Sequence, residues 1–106
     1  MNLKTNVNKI HVDLSNTYQN VEILEKSNLR LGNFIELSVV ESNKNLKIQI
    51  SKYELEKDVF NWSYFANPQD ENSIVERTST VNSFLFDVSD IFDKNRFDSD
   101  YLKKLN

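Results

Sequence analysis

Phe34-Ile35-Glu36-Leu37-Ser38-Val39-Val40-Glu41, then Ser42-Asn43-Lys44-Asn45, then Leu46-Lys47-Ile48-Gln49-Ile50-Ser51 is the stretch that decides the fold. The first run puts Ile35, Leu37 and Val39 on one side of an extended chain, because side chains alternate with a period of two. The last run does the same with Leu46, Ile48 and Ile50, leaving Lys47 and Gln49 opposite. The four polar residues between them include two asparagines, which tolerate the left-handed backbone that tight turns need. The stretch is a β-hairpin with one apolar face.

Working outward, Val59–Phe65 is aromatic and reads as a strand carrying Phe60, Trp62 and Tyr64 on one side. Asn67-Pro68-Gln69-Asp70 is a turn, since proline cannot donate to a ladder and pushes its predecessor out of helix. Ser73–Thr80 follows as an edge strand whose charges discourage edge-to-edge pairing. Upstream, Thr17–Lys26 is read as a strand from Val21 and Ile23, with a capped short helix as the alternative. Lys9–Leu14 also alternates and is read as a strand. Gly32, the one glycine, is expected to supply a positive-φ turn or bulge.

After Thr80 the period changes. Val81, Phe84, Leu85, Val88, Ile91 and Phe92 recur at helical spacing and cover a stripe roughly 120° wide. A second short helix is predicted from Asp98, with Asp98 as its N-cap and Phe97 stapled onto Leu102. The expected fold is therefore α+β: an antiparallel, meander-like sheet of about five strands, then two C-terminal helices on one face. At 106 residues the chain is expected to be a single domain spanning 1–106.

The chain has 13 basic and 16 acidic residues, and no run of Lys and Arg able to follow a phosphate backbone. Nucleic acid is therefore not an expected partner. Without cysteine, there are no disulfides, thiolate nucleophiles or Cys-ligated metals. Met1–Ile10 has no continuous apolar core, so neither a secretion signal nor a membrane span is expected there, and the expected address is cytoplasmic.

Motif chemistry is sparse. One glycine cannot build a phosphate-cradling loop or a nucleophile elbow, and His11, the single histidine, is expected to face solvent. A calcium loop starting at Asp93 would need glycine sixth and glutamate twelfth, where Asp98 and Lys104 stand. Glu54 and Glu56 are a conceivable carboxylate pair at a strand end, against the plainer reading of a solvated end. No cofactor, metal or catalytic residue is predicted.

Two features point to a partner. On the helical wheel Phe86 falls opposite the apolar stripe, with Asp90 and Asp93 beside it at i+4 and i+7. An apolar anchor among carboxylates suits a protein with a basic surface. The alternative is that another segment covers Phe86. Trp62 and Tyr64 are the second feature. They read first as core, and as a docking patch only if the helices take the opposite face. The expectation is a non-catalytic protein-binding module, a small inhibitor of the immunity or anti-defence type. The rivals are an assembly protein forming a homo-oligomer through its aromatic strand, and an enzyme of unrecognised type.

Overall fold

The structure, a computed structural model, describes residues 2–97. In chain order it runs α1 (Asn2–Ser15), β1 (Asn20–Asn28), β2 (Gly32–Glu41), β3 (Lys44–Ser51), α2 (Lys52–Leu55), β4 (Val59–Phe65), β5 (Ile74–Thr80) and α3 (Phe84–Asp93). The five strands form one sheet in the order β1-β2-β3-β4-β5, every neighbouring pair antiparallel. This is an open meander. None of the helices among the described residues is long and apolar enough to cross a membrane.

The central hairpin forms as its pattern dictates. Ile35 faces Ile50, Leu37 faces Ile48 and Val39 faces Leu46, so six aliphatic side chains share one face. Ser42 and Asn43 turn the chain with φ of 50° and 68°. Gly32 opens β2 at φ 67°, the positive-φ role expected of it. The aromatic strand and the turn after it also form, and β5 lies at the sheet edge.

One expectation fails: the chain does not begin with a strand. Lys9–Leu14 belongs to α1. Ile10, Val12 and Leu14 do alternate, but Leu3, Val7, Ile10 and Leu14 also recur at i, i+4, i+7 and i+11. That is one helix face. The helical period wins because it sets four residues against the sheet, at the cost of leaving Val12 exposed. His11 faces solvent as expected, but from a helix. The strand expected over Thr17–Lys26 does form, shifted to Asn20–Asn28.

Among the described residues the helices are thus one N-terminal, one internal and one C-terminal. The helix predicted from Asp98 lies outside the described residues. Asn95, at φ 52°, ends α3: its N–H reaches Phe92 O, and Arg96 N–H reaches Ile91 O at 2.8 Å. This is a Schellman stop with asparagine in the left-handed position that glycine usually fills.

All three helices contribute to one core on one face of the sheet. Ile10 and Leu14 of α1, Leu55 of α2 and Phe84, Val88 and Ile91 of α3 pack with the inward residues of β2, β3 and β4. α3 sits over the aromatic strand, where Phe84 stands edge-on to Trp62 at 4.9 Å and tilted to Phe60 at 5.6 Å. Fully burying a side chain of this size stabilises by roughly 1.5–3 kcal/mol, which makes this stack a main anchor of α3. Phe97 closes the core edge-on to Phe92.

Candidate functional site

The roll of α3 about its axis decides what it presents outward. Phe84, Val88 and Ile91 are buried and Leu85 and Phe92 pack against the same core. The β5–α3 turn fixes the start of the helix through reciprocal bonds. Thr80 N–H donates to Ser83 Oγ at 2.9 Å, and Ser83 N–H donates to Thr80 Oγ1 at 3.0 Å. Asp87 then turns toward β5, accepting from Ser79 Oγ and lying 3.9 Å from Arg77 Nη2. With those residues directed inward, Phe86 is left outside and is 73 % exposed.

The carboxylates beside Phe86 differ from one another. Asp90 is held by Lys94 Nζ at 3.1 Å and Arg96 Nε at 3.0 Å. Those two cations, Lys94 foremost, keep its carboxyl below the ordinary 3.8. Much of its charge is therefore spoken for. Asp93 is exposed and makes no ion pair among the described residues. Nearby, the Tyr18 phenol bonds Ser89 Oγ at 2.7 Å. Burial raises its pKa above 10.0, the Ser89 bond opposes this, and the charges of Asp93 and Glu41 reinforce the rise. Negative potential persists at the C-terminal end of α3, on Asp93 more than on Asp90.

Trp62 and Tyr64 take the other of their two readings. Each is only 3 % exposed, beneath the helix layer, so neither offers a docking surface. The indole N–H of Trp62 donates to Ser79 Oγ, and the Arg77 guanidinium lies 5.8 Å from its ring centre. β4 is also interior to the sheet, with β3 and β5 on either side, which removes the edge that assembly through this strand would need. The helices cover the aromatic face because that face carries the largest apolar area.

A feature the sequence reading missed lies on the uncovered face. β3 and β4 are in register only at Ile48–Tyr64 and Gln49–Ser63, because α2 is inserted where the ladder would continue. Ser51 Oγ caps α2 by accepting Tyr53 N–H. Glu54 Oε1 accepts Asn61 N–H at 2.9 Å, so a carboxylate replaces a ladder partner. A groove of about 530 Å³ opens here, lined among others by Arg30, Gln49, Ser51, Glu54, Asn61 and Glu76. Arg30, on the β1–β2 turn, donates to Gln49 Oε1 at 2.6 Å.

Glu54 and Glu56 do not form the carboxylate pair considered from sequence. Two residues apart at the end of a helix, they point to different sides. Glu54 is committed to Asn61 N–H and Lys57, which together hold its pKa below 4.5. The residue that marks α2 in the sequence is Leu55, buried four positions after Ser51. Among the described residues no group of three or more His, Asp or Glu is placed to hold a metal ion. Comparison with protein-family models, with curated proteins and with solved structures gives no significant match in any of the three.

Proposed function

We propose that this chain is a non-catalytic protein-binding module that blocks a partner through the outward face of α3. The observation that carries the reading is Phe86: a phenylalanine turned into solvent contributes little to its own fold, while its neighbours on the same helix supply the core. Exposed aromatics of this kind fill pockets on partner proteins and dominate small interfaces. Asp93 supplies a carboxylate one turn beyond Asp90, so the complementary surface is an apolar pocket with a basic group beside it. Asp90 contributes less, being offset by Lys94 and Arg96. Trp62 and Tyr64 have no part in this surface.

The test is affinity capture of the tagged protein from a lysate of the cells that encode it, run in parallel with Phe86→Ala and Asp93→Ala. A single stoichiometric partner retained by the wild type and lost from Phe86→Ala supports the reading. Identical captures by wild type and Phe86→Ala remove this face from consideration.

A further inference from the structure

We propose that the β1 edge pairs with β1 of a second copy, about a two-fold axis perpendicular to the sheet and midway between the two Leu24 residues. β1 is nine residues long and ends the sheet, so half of its backbone N–H and C=O groups face outward with no strand beside them among the described residues. Its uncovered face carries Glu22, Leu24 and Lys26, and Leu24 is 46 % exposed.

An antiparallel pair of identical strands related by such an axis matches residues whose numbers share a constant sum. Only a few registers are available. Full-length pairing of β1 centres on Leu24. It sets Leu24 against Leu24, and Glu22 against the second copy's Lys26, twice by symmetry. Centring on Glu25 sets Glu25 against itself, and centring on Ile23 matches Glu22 with Leu24. Both lose the ion pairs. The charges that protect an isolated edge thus become complementary in the one register that uses the whole strand. Glu22 makes no ion pair among the described residues. Lys26 already bonds Glu36 at 3.0 Å, and an ammonium has donors to spare for a second carboxylate.

The opposite edge behaves differently. Full-length pairing of β5 with its own copy sets Arg77 against Arg77, and Arg77 is already directed toward Asp87. The dimer is therefore a continuous ten-stranded sheet joined at β1, with both helix layers on the same side and both Phe86 side chains free.

The absence of native cysteine makes the register directly readable. Directly opposite residues in an antiparallel pair have Cα atoms close enough for a disulfide. Sedimentation of the full chain is expected to give twice the single-chain 12.5 kDa as concentration rises. Leu24→Cys is expected to form a disulfide-linked dimer on mild oxidation, while Leu29→Cys, fully exposed on the turn, does so only at the slow rate of random collision. Glu22→Lys should weaken the dimer about tenfold by placing lysine opposite lysine, and adding Lys26→Glu should restore it. A single-chain mass at every soluble concentration overturns the proposal. So does a dimer whose Leu24→Cys variant cross-links no faster than Leu29→Cys, or one indifferent to Glu22→Lys.

Discussion

The indole N–H of Trp62 donates to Ser79 Oγ across 2.9 Å, in the buried seam where β4, β5 and α3 meet. Ser79 in turn donates to Asp87 on the first turn of α3, so one hydroxyl joins an interior strand, an edge strand and a helix. The link bears on the proposed surface because it fixes the roll of α3. With Asp87 tied to β5 and Phe84 edge-on to Trp62, Phe86 is on the far side of the helix from the core.

Ser79→Ala should destabilise the fold by about 1–3 kcal/mol, because it leaves the buried Trp62 N–H without an acceptor, whereas Asp87 Oδ2 keeps the Ser83 hydroxyl at 3.3 Å. Urea denaturation followed through Trp62, the only tryptophan, measures this directly. A loss below that range would mean that the Trp62 N–H finds another acceptor.

Phe84 and Phe86 stand two residues apart and should respond oppositely to truncation. Phe84→Ala removes a ring that is 1 % exposed and should cost about 3–5 kcal/mol. Phe86→Ala should change stability by no more than about 0.5 kcal/mol. Thermal melts of the two variants side by side separate an inward from an outward residue on one helix.

Gly32→Ala should cost about 1–2 kcal/mol, although nothing lies within 4 Å of where the new methyl would sit. The penalty comes from the backbone, held at φ 67°, and not from crowding. Gly32→Asn should cost less, since asparagine visits this region more readily. Equal melting of both variants and wild type would show that the β1–β2 turn relaxes.

Much of this arrangement was legible in the sequence, for reasons visible in particular residues. The β2–β3 hairpin and β4 have apolar residues at a strict period of two, and α3 has them at a helical period, so each element announces its own buried face. α1 was not legible because Val12 completes an alternation with Ile10 and Leu14 that masks the longer helical spacing from Leu3. α2 is four residues long, too short for any period, and its role in parting β3 from β4 depends on the Glu54–Asn61 bond across the α2–β4 turn. Phe86 could be placed opposite the stripe from the sequence alone. That Phe86 stays exposed beside the other described segments required the packing, as did the burial of Trp62 and Tyr64.

The Glu54–Asn61 bond carries a pH signature. Its carboxylate titrates below the ordinary 4.5 in the folded chain, because Asn61 N–H and then Lys57 favour the ionised form. A depressed folded pKa contributes stability that is fully present above 4.5 and is lost as pH falls through the lower folded value. Wild type should therefore lose stability on acidification below 4.5 more steeply than Glu54→Gln, which keeps an acceptor for Asn61 but does not titrate. Parallel pH profiles for the two proteins would contradict this role for Glu54.

The central claim is that Phe86 serves recognition and not folding, and the most direct test is the affinity of the captured partner for Phe86→Ala, measured alongside the melt of the same preparation. An aromatic hot spot predicts a loss of about 2 kcal/mol or more, roughly thirtyfold in Kd, with an unchanged melting temperature. Unaltered affinity, or a melting temperature that falls as far as that of Phe84→Ala, would contradict it.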